Sequence, residues 1–291
     1  MEAYTHYGKQ ADVFKHLILS EVLHNEKPKV YIDTNSACAE YQLEHTAEQD
    51  YGIYHFLREA PTNDELRNSC YFIQESEVIQ KDCYYGSPAL AMKILGESVS
   101  KYYFFDLESK SLDNIRRFAE QIHLNNHIFI KNCDSTVGVI DILPTLPKTS
   151  FIHIDPYEID KKGTGRHTHL DVFIQATRLG LKCMLWYGFM TLNDKLTIDT
   201  YIASPLQKSG IKNVLGSKLI MNNIRKNTTI CNPGILGSGL LASNLSDKSN
   251  QQLLGFSRLL EDIYKNSQYK GLDGSLYNEI LKQSRITLKI R

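Results

Sequence analysis

Between Asp12 and His24 apolar residues recur at helical spacing. Val13, Leu17, Ile18, Leu19, Val22 and Leu23 gather on one face, and Lys15, His16 and Glu21 fall outside it. A helix is predicted there, closed by Lys27-Pro28. The short run Lys29-Val30-Tyr31-Ile32 reads as a buried strand ending at Asp33, and small polar residues follow from Thr34 to Glu40. From about Tyr41 to Tyr85 the pattern is helical, broken at Pro61-Thr62-Asn63 and again at Tyr84-Tyr85-Gly86-Ser87-Pro88. This predicts a small helical insertion over residues 42–86. Ser87 suits an N-cap and Pro88 a first helical position, with Leu90, Ala91, Ile94 and Leu95 as the buried stripe of the next helix.

Strands and helices then alternate. Tyr102–Asp106, His127–Lys131, Phe151–Asp155 and Lys182–Tyr187 read as strands, with helices over Leu112–Ile122, Val139–Leu143 and Asp171–Leu179 between them. Repeated alternation with short links predicts an α/β fold: a mostly parallel, Rossmann-like sheet covered by helices on both faces. Ligands of such sheets bind beyond the carboxyl ends of the strands, and Asp33, Asp106, Asp134 and Asp155 all fall at or just past such ends. In the last third, Lys208, Lys212, Lys218, Arg225 and Lys226 read as a solvated face, with a nucleic-acid surface as the alternative. Gly234–Gly239 reads as a glycine-rich turn and Asn250–Tyr264 as an amphipathic helix. With no repeat or low-complexity linker, residues 1–291 are expected to form one domain.

Composition narrows the function classes. The 291 residues carry 33 Lys+Arg against 33 Asp+Glu, which argues against non-specific coating of nucleic acid and leaves room for a local basic surface. Hydrophobic residues at 42% and charged residues at 23% exclude a largely disordered chain. The six cysteines show no CxxC pattern and read as reduced core residues of an intracellular protein. The opening residues show no basic-then-apolar signal and no run approaches a membrane span, so a cytoplasmic location is expected. Monomer is the favoured state. Arg166-His167-Thr168-His169 lacks further ligands at metal-binding spacing, and no metal is expected.

Three constellations could carry chemistry. The loop after Asp33, with Asn35, Ser36, Ala37, Cys38 and Ala39, sits where nucleotide-binding folds usually place glycines, and an ordinary strand–loop junction is the competing reading. Asp106 is placed either to accept the ribose hydroxyls of an adenosine-bearing cofactor or to cap the helix that follows. Asp155-Pro156-Tyr157-Glu158 follows an apolar strand, at the place where amino-directed methyltransferases carry an acid or amide, a proline and an aromatic. An exocyclic amine is a poor nucleophile because its lone pair is delocalised into the ring. Hydrogen bonds accepted from its two protons, by Asp155 and a nearby backbone carbonyl, free that lone pair, and an aromatic such as Tyr157 can stack on the base.

The order of the motifs is more specific than any one of them. His6-Tyr7-Gly8-Lys9-Gln10-Ala11-Asp12-Val13-Phe14-Lys15-His16, Tyr31-Ile32-Asp33-Thr34 with Tyr41, Gly86-Ser87-Pro88 with Ala91, Leu185-Trp186-Tyr187 and Gly237-Ser238-Gly239-Leu240-Leu241 together resemble the RlmJ family of bacterial 23S ribosomal RNA adenine-N6 methyltransferases over nearly the full length. The three-Cys-motif partner proteins share the Asp-Pro-Tyr and Gly-Ser-Pro elements, but the opening and closing segments favour the RlmJ family. The resemblance implies a Rossmann-like methyltransferase using S-adenosylmethionine. It places Lys15 and His16 near the cofactor, and Asp33, Asn35 and Ser36 along its methionine end. Asp106 would take the ribose, Asp134 would lie beside the adenine, and Asp155, Pro156 and Tyr157 would hold the target base, with Tyr4 as a gate. The implied partner is nucleic acid, RNA before DNA. Three departures fall at the chemistry, one of them the family's late Asn-Pro-Pro, which reads Asn244-Leu245-Ser246 here. The family's His-Ala-Gly-Ala-Gly loop has lost both glycines here, and its Asp-Pro-Pro-Tyr turn has lost one proline. These departures leave a methyltransferase fold retained as a binding or regulatory module as the alternative.

Overall fold

Five parallel strands form the centre of the molecule: β1 (Val30–Asp33), β2 (Lys101–Asp106), β3 (Ile128–Asn132), β4 (Ser150–Ile154) and β5 (Lys182–Phe189). The computed structural model describes residues 6–221, 235–265, 268–269, 272–273 and 276–286. Three further strands, β6 (Val214–Met221), β7 (Gly237–Ser243) and β8 (Leu276–Ile286), extend the sheet through antiparallel pairing; β7 and β8 are reversed, and β6 runs with the central strands. Its order is β8-β6-β7-β5-β4-β1-β2-β3. β1 and β4 are buried at every position, so they read in sequence as continuous apolar runs rather than alternating ones.

Successive side chains of the strands feed two separate cores. Tyr31, Phe104 and Phe151 pack with α1 (Gln10–Glu26), α2 (Ser87–Leu95), α3 (Ser109–Gln121) and a late helix, α7 (Asp247–Lys265). Ile32, Phe105 and Ile152 pack on the other face with α4 (Ser135–Ile142), α5 (His169–Arg178) and α6 (Leu192–Ser209). Residues 40–42 and 83–85 pair as a small antiparallel ladder. The short helices Ala47–Tyr51, Ile53–Glu59, Asp64–Arg67 and Cys70–Val78 run between its strands, and Pro61 lies in a tight turn between two of them. Among the described residues no helix is long and apolar enough to cross a membrane.

The structure revises three features of the sequence reading. In α1 every residue from Gln10 to Leu23 is buried, including Lys15, His16 and Glu21, which the periodicity puts outside the apolar face. The helix is enclosed by α7, α2, the Cys70–Val78 helix and strands β5 and β7, so it has no solvent side. Gly237 and Gly239 lie within strand β7 and not in a turn. A Cβ on Gly239 would stand 2.3 Å from the Tyr187 ring, and one on Gly237 2.7 Å from the Phe189 ring, so glycine here admits neighbouring aromatics across the ladder. Lys218 belongs to no solvated face. It is buried in β6 with its ammonium 2.7 Å from Asp199. Gly234, Arg225 and Lys226 lie outside the described residues, as does Tyr4.

Gly86 fixes how the insertion joins the core. Its N–H donates to the Ala39 carbonyl at 2.8 Å, and a Cβ there would meet the Cys38 carbonyl oxygen at 2.2 Å. Backbone cannot give way as a flexible side chain does. Gly86→Ala is therefore expected to cost about 2–3 kcal/mol, read as a lower midpoint in urea denaturation.

Candidate active site

The carboxyl ends of β1, β2, β3 and β4 lie along one edge of the sheet, and the aspartates at those ends have different surroundings. Asp33, at the end of β1, is fully buried. Its Oδ2 accepts hydrogen bonds from the Ser87 hydroxyl at 2.7 Å, the Tyr31 hydroxyl at 3.0 Å and the His153 ring at 3.3 Å. Burial pushes its pKa up, but His153, Ser87 and Tyr31 together outweigh burial and hold it below the ordinary value. The Gly-Ser-Pro motif thus has two tasks: Gly86 allows the close approach, and Ser87 seats Asp33. Asp33 Oδ1 and His153 Nε2 are buried without a partner among the described residues.

The loop after Asp33 is held by the protein's own groups. Ser36 N–H donates to the Phe105 carbonyl at 3.0 Å, and Ala37 N–H to Asp106 Oδ2 at 2.8 Å. Cys38 N–H donates to the Tyr41 hydroxyl at 3.0 Å, and the Ala39 and Glu40 amides share Asn114 Oδ1 at 2.8 and 3.1 Å. Asp106 also accepts from Glu108 N–H at 2.8 Å, so it serves the start of the segment leading into α3 as well as the loop. Ala37 has φ +50°, the left-handed conformation in which Cβ crowds the backbone. Glycine would adopt this conformation without that crowding. Ala37→Gly is expected to raise stability by up to about 1 kcal/mol, because relieved strain exceeds the added unfolded-state entropy; a thermal melt checks it.

Beyond these strand ends lies a cavity of about 390 Å³, within the size range of small-molecule sites. Asn35, Asp106, Asp134, Pro156 and Tyr157 line it, together with residues that include Leu107 and His169. A larger cavity of about 670 Å³ opens at the start of β6 and the end of β7, the opposite edge of the sheet, away from the aspartates. Tyr157 is 95% exposed, its ring presented to solvent at the rim. Asp134 caps α4 and accepts four hydrogen bonds, from the backbone and hydroxyl of Thr136 and of Thr164. Burial raises its pKa, and these donors more than compensate, leaving it below the ordinary value. His169 donates to or accepts from Ser135 Oγ at 3.2 Å, and burial lowers its pKa to about 4, so its ring is neutral at physiological pH.

Lys15 reaches from α1 to Asp155, 140 residues later. Its ammonium lies 2.5 Å from Asp155 Oδ2 and 3.3 Å from Asp12 Oδ1, and 5.2 Å from the centre of the Trp186 ring. Burial alone would discharge it, but the carboxylates of Asp155 and Asp12 raise its pKa above the ordinary value. Among the described residues Asp155 Oδ1 has no hydrogen-bond partner. The next residue of α1, His16, bonds through Nδ1 to the Tyr84 hydroxyl at 2.7 Å and is kept neutral by burial and by the neighbouring charge of Lys15.

The expected site residues therefore divide. Asn35, Asp106, Asp134, Pro156 and Tyr157 share the cavity. Lys15 and Asp155 are joined to each other, while Asp33, Ser36 and His16 are engaged in the framework and do not line the cavity. Sequence reasoning missed Asn114, Thr164 and His169. Asn114 sits on an amphipathic helix where an asparagine signals nothing, whereas Thr164 precedes, and His169 belongs to, a histidine pair weighed in the sequence against metal binding rather than as part of a cavity wall.

No protein-family model and no curated protein matches this chain. Among solved structures it is similar to protein LPL1258 of Legionella pneumophila, described by the family label DUF519, at 19% identity over 94% of this chain and 98% of that one, with a TM-score of 0.72. The two share a fold. An S-adenosylmethionine-dependent methyltransferase from Agrobacterium tumefaciens (10% identity, 83% of this chain and 64% of that one, TM-score 0.43) and an rRNA methylase from Streptococcus thermophilus (10% identity, 80% and 95%, TM-score 0.39) are also similar, at a level too low to carry an argument. The fold itself is a Rossmann-like α/β fold: a mostly parallel sheet in which a reversed strand, β7, lies between β5 and β6.

Proposed function

We propose that this protein is an S-adenosylmethionine-dependent methyltransferase acting on an exocyclic amine of a nucleic-acid base, with adenine N6 in RNA as the first candidate substrate. One juxtaposition carries the reading. Pro156 and Tyr157 line a cavity of cofactor size, and Asp155 immediately before them is anchored through one oxygen by buried Lys15, leaving Oδ1 as an acceptor.

The residues present fit the cofactor. Asp106 lines the cavity as an acceptor for ribose hydroxyls, and Leu107 offers an apolar face to a purine. S-adenosylmethionine, when bound, supplies an electrophilic methyl group on a positively charged sulfur. The chain's own part is to prepare the nucleophile. Asp155 Oδ1 accepts a hydrogen bond from the target amine and so localises its lone pair, and the amine's proton is shed only after the nitrogen has taken the methyl group, while Lys15 fixes the carboxylate's orientation from behind. The exposed Tyr157 ring stacks on the base, and the Pro156 ring fixes the turn that sets one residue against the other.

The direct test is transfer of labelled methyl from S-adenosylmethionine to RNA and to DNA, with S-adenosylhomocysteine binding measured by calorimetry. Label on adenine supports the reading, and RNA ahead of DNA supports the finer choice. Absence of cofactor binding sinks it.

A further inference from the structure

The loop over residues 156–168 runs from the Asp155 turn to α5, and Lys161, Lys162, Gly163 and Thr164 make it one wall of the cavity. It is folded on itself: Gly163 N–H donates to the His167 carbonyl at 2.9 Å and Arg166 N–H to the Gly163 carbonyl at 3.0 Å, with Arg166 at φ +64°. Ile159 seats its first part in the second core and the Tyr201 hydroxyl holds Thr168 at its end at 3.2 Å; between them, over residues 161–167, its attachment to the body of the protein is Asp134. Oδ1 accepts from Thr136 N–H at 2.9 Å and Oγ1 at 2.7 Å; Oδ2 accepts from Thr164 N–H at 2.6 Å and Oγ1 at 3.1 Å. Four bonds use the acceptor capacity of a carboxylate, so no lone pair is left to read a ligand. Gly163 shows how tight the joint is. A Cβ there would stand 2.1 Å from Thr136 Oγ1 and 2.4 Å from Asp134 Oδ2, so the loop can reach its anchor only with glycine at that place.

We infer that Asp134 is a positioning residue, a latch that holds the 156–168 loop closed as a wall of the cavity, and that it does not contact the ligand. The consequence for binding rests on the cofactor reading proposed above; the latch itself does not. With the latch made, a ligand is retained by the closed wall; with it broken, the loop opens and the ligand leaves faster while the remaining contacts are kept.

Amide hydrogen exchange on the free protein and dissociation of S-adenosylhomocysteine by stopped flow test this together. In Asp134→Ala the amides of residues 161–167 should exchange about tenfold faster or more, with the rest of the chain unchanged apart from the first turn of α4, which loses its cap. Dissociation should quicken about tenfold, with a much smaller change in association. Gly163→Ala keeps the carboxylate and the α4 cap, so it should show the same local opening even if Asp134→Ala folds poorly. Thr164→Val keeps the backbone donor and should fall between these variants and wild type. Unchanged exchange in both Asp134→Ala and Gly163→Ala overturns the latch. Loss of S-adenosylhomocysteine affinity in Asp134→Ala with unchanged loop exchange also overturns it, because Asp134 would then touch the ligand. A wild-type protein that does not bind S-adenosylhomocysteine fails the cofactor reading instead, and exchange still decides the latch.

Discussion

Asp155→Ala is expected to lower methyl transfer by about 10²–10⁴-fold, the range for loss of a group that handles a proton at the reacting atom. The loss should appear in kcat more than in KM, because the acceptor matters most as the amine nitrogen becomes tetrahedral, whereas stacking on Tyr157 and contacts to the rest of the nucleic acid are unaltered. Asp155→Asn is the informative partner. It keeps an oxygen at the same place but not the charge that Lys15 holds at 2.5 Å. Partial activity in the asparagine variant would assign the role to hydrogen-bond acceptance from the amine rather than to the charge, and a rate for alanine within about threefold of wild type would remove Asp155 from the chemistry.

Lys15→Met is expected to be among the most destabilising single changes in the chain, at about 3–5 kcal/mol. The substitution fills the volume but leaves the buried Asp12 and the largely buried Asp155 side by side without a cation, and it removes the ammonium from beside the Trp186 ring. The dependence on pH has a definite sign. Because the folded state raises the Lys15 pKa above its ordinary 10.5, the contribution is complete at any pH below that value. It is lost only as pH rises through the higher folded value. The stability gap between wild type and Lys15→Met should therefore be flat through neutral pH and narrow in strongly alkaline solution. Adding Asp155→Asn to Lys15→Met should recover part of the loss, since it removes one of the two stranded charges, and chemical denaturation of the four proteins completes the cycle.

The parallel strands were legible because burial on both faces leaves an uninterrupted apolar run, as in β1 and β4, and because each of these runs ends at or next to an aspartate. Helix boundaries were less so. α4 begins at Ser135 rather than near Val139, since its first turn is specified by the Asp134 cap and not by apolar periodicity. Periodicity also misplaced Lys15 and His16. A helix enclosed on every side has no polar face to find, and the polar residues it carries are there for bonds to groups distant in sequence, such as Asp155 and Tyr84. The glycines of β7 carried a true signal, close approach, which resembles a turn when the aromatic partner is fifty residues earlier. At the site, the placing of Asp106 and of the Asp155 turn followed from strand ends alone. That Asp134 is saturated, and that Asn114 satisfies the amides of a loop without glycines, depends on side-chain pairings that spacing does not encode.

The enclosure of α1 also bears on biogenesis. This helix leaves the ribosome well before β7 and α7, against which it packs and which are completed only when residue 265 has been joined. At about 5–20 residues per second that interval is roughly ten to fifty seconds, during which an apolar segment bearing an essential cation has no home. Nascent chains of this protein should therefore be clients of ribosome-associated chaperones, and slowed translation of the last third should favour aggregation over assembly.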